Sequence, residues 1–131
     1  MTAGGAPLTG AIGQLHVTVS DIGRSVAFYR DVLGLPLLFE VPGQGMAFFD
    51  CQGVRLYLGA AESAEFESRP LIYFRAESAR AAAAELNRRG VDFTSEPHVV
   101  HRAGDTELWI GFFKDPDGTT LALMSEEPAQ E

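Results

Sequence analysis

A single cysteine, Cys51, in 131 residues leaves no internal disulfide framework and fits a reducing cytoplasm. Its simplest role is that of a small hydrophobe at a strand end. No apolar run approaches the roughly 18 residues that a membrane-crossing helix needs. The N-terminal residues lack a basic segment followed by an apolar one, so no signal peptide is expected. Positive charge is scarce, with 10 Lys+Arg against 18 Asp+Glu and a net charge of -8. That balance argues against nucleic acid and anionic membranes as partners and mildly favours neutral or cationic small molecules. A Gly-rich phosphate loop, a nucleophile elbow, a Cys-x-x-Cys pair and a paired acidic motif are all missing. Asp115 and Asp117 do sit close together, but Pro116 and Gly118 mark that stretch as a turn.

What is present suffices for a core. Hydrophobic residues make up 46% of the chain, and the length suits one domain or two half-domains sharing a core. Residues 14–34 organise the rest. Leu15, Val17 and Val19 alternate as the apolar row of a strand, with Gln14, His16 and Thr18 on its opposite face. Ser20 or Asp21 can cap a following helix, in which Ile22, Val26, Tyr29 and Leu33 recur at helical spacing until Gly34.

The pattern then repeats. Residues 35–41, 46–50 and 54–59 read as strands separated by the turns at 42–45 and 51–53. An acidic linker or lid, 60–68, leads to a strand at 71–75, a helix over 78–89 ended by Gly90, and strands matching the earlier three. The second half is longer by a segment at 97–109. Each half is strand-helix-strand-strand-strand, too short to bury its sheet alone, so two related halves share one core. The expected division is a flexible tail at 1–11, one domain at 12–125 (module one 12–60, linker 61–69, module two 70–125) and a second tail at 126–131.

Val19-Ser-Asp-Ile-Gly-Arg-Ser-Val-Ala-Phe-Tyr-Arg-Asp-Val-Leu-Gly34, Phe113-Lys-Asp-Pro-Asp-Gly118 and the doubled module together resemble the vicinal oxygen chelate superfamily. That superfamily includes glyoxalase I, bleomycin-resistance proteins and extradiol dioxygenases. The resemblance implies an α+β fold of two βαβββ modules with curled mixed sheets around a cleft, commonly in a homodimer. It also implies four metal-ligand positions, which fall here on Gln14, Tyr57, Leu71 and Ala122. Leu and Ala offer no donor and Tyr is a poor ligand near neutral pH, so the usual metal site is not expected.

The remaining candidates follow from residue type and strand face. His16 can act as a general base or bond a substrate oxygen, or it can be a structural histidine. Tyr57 can donate to a carbonyl or oxyanion, or simply fill the vacated space. Arg55 shares the Tyr57 face and suits a carboxylate, although an edge arginine in solvent has the same appearance. Gln14, Phe48, Tyr73 and Trp109, with Phe39 nearby, are expected to line an aromatic pocket. His98 and His101, three apart, fall on opposite faces of a strand unless a bulge intervenes. No cofactor is expected; the alternative is zinc, nickel, manganese or iron at a non-standard site that includes His16. These readings give a cytoplasmic protein that binds, and on one reading converts by lyase- or isomerase-type proton transfer, a small oxygenated molecule. The alternative is a non-catalytic sequestering protein similar to the bleomycin-resistance proteins.

Overall fold

A computed structural model of the chain describes residue 5 and residues 8–129; most of the expected N-terminal tail lies outside them. The first module runs β1 (Gln14–Thr18), α1 (Ile22–Ala27) with a π-helical turn at Phe28–Val32, β2 (Leu37–Val41), β3 (Met46–Cys51) and β4 (Val54–Gly59). The second runs β5 (Ile72–Arg75), α2 (Ala79–Arg88), β6 (Phe93–Ala103), β7 (Thr106–Lys114) and β8 (Thr120–Pro128). The sheets have equivalent strand orders, β1-β4-β3-β2 (sheet A) and β5-β8-β7-β6 (sheet B). In each, the first strand is parallel to the last and the other pairs are antiparallel. This is the α+β, doubled βαβββ architecture that the repeat implies.

Sequence explains the helix ends. Asp21 is the α1 cap, accepting from the Arg24 amide at 3.1 Å, and Ser78 caps α2 by accepting from the Ala81 amide at 3.1 Å. Gly34 and Gly90, at φ +80° and +93°, take the left-handed conformation that turns the chain out of each helix. Ser20, the other candidate cap, instead donates its backbone N–H and its hydroxyl to Asp117 of the second module.

The core lies between each sheet and its helix and is continuous across the modules. Val17, Tyr29, Phe49, Leu58, Phe113 and Leu121 are fully buried in one cluster with Leu56 and Leu86. The Asp-Pro-Asp-Gly turn joins the modules here. Tyr29 donates its hydroxyl to Asp115 Oδ2 at 2.8 Å, while Asp115 Oδ1 accepts the Asp117 and Thr119 amides, both at 2.9 Å. Burial and the neighbouring Asp115 carboxylate push the Tyr29 phenol well above its ordinary range. It stays protonated in the folded state, while the unfolded chain ionises it above pH ~10, so its contribution to stability is present below that pH and lost above it. Tyr29→Phe leaves a buried carboxylate oxygen without its donor and is expected to cost about 1–3 kcal/mol at neutral pH. Urea unfolding at pH 7 and above pH ~10 checks both parts, since the variant should also lose less stability on the alkaline side.

The longer segment at 97–109 extends the sheet: β6 runs through to Ala103 and pairs with β7 in a long hairpin. One expectation about chain course needs correction. Residues 126–128 are not tail, because Glu126, Glu127 and Pro128 pair with Leu108, Glu107 and Thr106. The β7 extension created by the insertion supplies the partner groups that their polar composition did not reveal.

Candidate functional site

With Leu15 and Val17 turned to the helix, Gln14, His16 and Thr18 lie on the open face of sheet A. The register places His16 beside Tyr57, Tyr57 beside Phe48, and Phe48 beside Phe39, one residue from each strand. Their rings form a continuous file across the sheet. Ring centres are 4.6 Å apart for His16–Tyr57, 4.8 Å for Tyr57–Phe48 and 4.6 Å for Phe48–Phe39. The Tyr57 and Phe48 planes are only 14° from parallel. This spacing matches that between neighbouring strands, so the rings stand on the sheet with faces together. Rings lying flat could not bring their centres so close. The faces of Phe48 are therefore covered by its neighbours and the residue is buried, while Phe39 at the end of the file is exposed.

Gly59 makes this arrangement possible. It lies two residues beyond Tyr57 on the same strand face, and a methyl group there would sit 2.9 Å from Tyr57 Cε1 and 3.1 Å from the phenol oxygen. The Tyr57 ring thus lies along its own strand over a bare α-carbon. The Gly59 carbonyl also receives the His16 ring, at 3.3 Å from Nε2. A carbonyl can only accept, so Nε2 is the donor in this contact, and Nδ1 has no hydrogen-bond partner among the described residues. Gly59 was not among the residues singled out by sequence; the available signal was a small residue at i+2 from Tyr57 on a β-strand.

Gln14 and Arg55 are register partners at one side of the file, and the Arg55 guanidinium carbon lies 5.6 Å from the Phe48 ring centre. The sequence candidates Gln14, His16, Phe48, Arg55 and Tyr57 are thus gathered on one face. The other four are elsewhere. Tyr73 is on the open face of sheet B beside Ala122, at an edge angle to Phe112. Trp109 is not a pocket residue of this face: it packs against the core, with the Arg80 guanidinium of α2 3.9 Å from its ring centre. Its parity along β7, shared with Gly111 and Phe113, turns it toward the helix.

His98 and His101 do share a face, contrary to simple alternation. A register shift between Val99 and His101 sets His98 opposite Ile110 and His101 opposite Leu108, residues two apart on β7. Both are exposed on sheet B. His16 lies on sheet A, its ring tilted at 44° to that of Tyr57. Among the described residues, no three His, Cys, Asp or Glu side chains gather as a metal-binding group. Glu107, on the neighbouring strand, is buried and pairs with Arg102 at 3.0 Å.

A cavity of about 1110 Å³ lies away from this face. It lies between the modules on the helix side, with Leu15, Leu56, Ile72, Phe74 and Leu123 on its walls. It is broad, and of the sequence candidates only Tyr73 reaches it. Its apolar walls belong to the shared core, and charged side chains such as Glu77, Glu85 and Arg89 stand among its other lining residues.

Two four-stranded βαβββ sheets with this strand order define the glyoxalase-type fold. The chain belongs to the Glyoxalase/Bleomycin resistance protein/Dioxygenase superfamily, whose model matches residues 11–123. Its relatives include YraH of Bacillus subtilis (strain 168), 28% identical over 126 residues, covering 84% of this chain and 94% of that protein. Among solved structures, TnmS3, an antibiotic binding protein from Streptomyces sp. CB03234, superimposes with a TM-score of 0.72 at 22% identity, covering 93% of this chain and all of that one. Lactoylglutathione lyase from Agrobacterium tumefaciens gives 0.69 at 21%, covering 89% and 94%. At such identities these two likenesses speak for fold alone.

Proposed function

We propose that the protein is a small-molecule binder that holds an oxygenated organic ligand against the open face of sheet A, without the metal usual in its superfamily. One observation carries this reading. The metal-ligand position on β4 is taken by Tyr57, whose ring is locked between His16 and Phe48 in a preformed aromatic file. A rigid apolar floor bordered by a few polar groups, here Gln14, Arg55 and His16, is the usual composition of a binding site. An antibiotic-binding protein of the same fold is consistent with it. The same reading makes the protein a homodimer, supported by the exposed apolar side chains Leu71 and Tyr73, 48% and 43% accessible, beside the free edge of β5.

A second reading, proton transfer by His16, has one observation in its favour: with Nε2 turned to Gly59, Nδ1 is left without a partner among the described residues. A screen of planar acids and carbonyl compounds separates the two. The binding account expects thermal stabilisation by bound compound, no turnover, and the same stabilisation after treatment with a chelator. Turnover that His16→Ala abolishes, with binding retained, would replace it by the enzymatic reading. Binding that requires added zinc, nickel, manganese or iron would overturn its metal-free part.

A further inference from the structure

Eight of the nine arginines, Arg24, Arg30, Arg69, Arg75, Arg80, Arg88, Arg89 and Arg102, have a carboxylate partner at 2.6–3.6 Å. Arg55 has none among the described residues, in a chain where acids outnumber bases by 18 to 10. Scarcity of partners does not explain this. Asp50 is its register neighbour on β3, yet Oδ1 of Asp50 is engaged by the Gly53 amide at 3.0 Å, within the turn. The unpaired guanidinium instead stands by the ring file, beside Gln14.

The file has its own polarity. Aromatic rings are negative over their faces and positive at their edges. Cations seek faces, but neighbouring rings lie against those of Phe48, and Arg55 already rests on this residue at 5.6 Å. What the open face offers a ligand is the file of rings with, at its side, a guanidinium that has no carboxylate partner among the described residues. The net charge of -8 does not reverse this locally, because charges beyond a Debye length of about 8 Å are largely screened at physiological ionic strength.

Resting on the small-molecule reading above, we infer that the ligand class is a planar aromatic carboxylate. Its ring packs against the file at Tyr57 and the exposed Phe39, and its carboxylate takes two N–H donors of Arg55. The cationic preference suggested by overall composition does not hold at this site. Arg55 is the specificity-determining residue, since a planar guanidinium matches a carboxylate with paired hydrogen bonds where lysine supplies a point charge.

Three probes of one shape test this by titration calorimetry: 2-naphthoate, the neutral 2-naphthamide and the cationic 2-naphthylmethylammonium. The expected order is naphthoate about tenfold tighter than naphthamide, with the ammonium compound weakest. Arg55→Gln should bring the ratio of naphthoate to naphthamide affinity down to about one, whatever its effect on the absolute affinities, and Arg55→Lys should restore part of that ratio. Equal affinity for naphthoate and naphthamide, or tightest binding of the cation, overturns the anionic class and leaves small-molecule binding standing. Binding of none of the three overturns it together with the reading on which it rests.

Discussion

Gly59→Ala is expected to abolish most ligand binding, by at least tenfold in affinity, while the protein still folds. The added methyl lies 2.9–3.2 Å from three atoms of the Tyr57 phenol ring. An isolated tyrosine would swing aside at little cost. This one cannot, because His16 and Phe48 hold its two faces. Either the ring file breaks or the end of β4 shifts, and both disturb the contact between His16 and the Gly59 carbonyl. Overpacking of this kind costs about 1–3 kcal/mol, less than a small domain's total stability. The near-ultraviolet circular dichroism of the stacked rings should fall while the far-ultraviolet spectrum is kept. A variant that keeps both its aromatic signal and its naphthoate affinity would show that Tyr57 is not held as described.

Gly111→Ala is expected to be the more damaging substitution for stability. A methyl on Gly111 would lie 2.8 Å from the Pro97 backbone nitrogen and 2.8–2.9 Å from its ring carbons. Pro97 is in the irregular part of β6, between the register shifts that flank Ser95 and His98. A proline has no N–H to give to the ladder, and the bare glycine opposite lets the strands close over it. Backbone cannot rotate away as a side chain can, so we expect a loss of about 3 kcal/mol, at the upper end of overpacking costs. A reduced urea midpoint with an unchanged slope checks it. Ligand binding to sheet A should survive at temperatures where the variant is folded, because the two sheets carry separate side chains. Full wild-type stability would mean that the β6–β7 approach is looser than described.

The comparison of these two glycines shows what a sequence discloses. Periodicity located the helices and strands because burial imposes it: Leu15, Val17 and Val19 could face only the helix, which put Gln14 and His16 on the other side. Local cap chemistry was equally legible at Asp21, Gly34, Ser78 and Gly90. Register was not. Which ring stands beside which depends on hydrogen-bond pairing between strands distant in sequence, so the file from His16 to Phe39 appears only in the folded sheet. The β6 bulge, which brings His98 and His101 to one face, has no marker beyond the proline. Trp109 was misassigned because alternation gives parity without saying which parity faces the helix, and the insertion hid the count. The isolation of Arg55 is the clearest case of all. Arg30, Arg69, Arg88 and Arg89 pair with carboxylates within four residues, but the partners of Arg24, Arg75, Arg80 and Arg102 lie further off, so the sequence around Arg55 does not show that it stays unpaired.

The central claim is a location: the open face of sheet A, and not the cavity between the modules, is where the ligand sits. Nuclear magnetic resonance of the isotope-labelled protein, titrated with 2-naphthoate, tests it most directly. The account predicts concerted shifts in the His16 imidazole, the Phe48 and Tyr57 ring protons and the Arg55 guanidinium, with the methyl groups of Leu56 and Leu123 unmoved. Shifts confined to Leu15, Leu56, Ile72 and Leu123, which wall the cavity on the helix side, would contradict it.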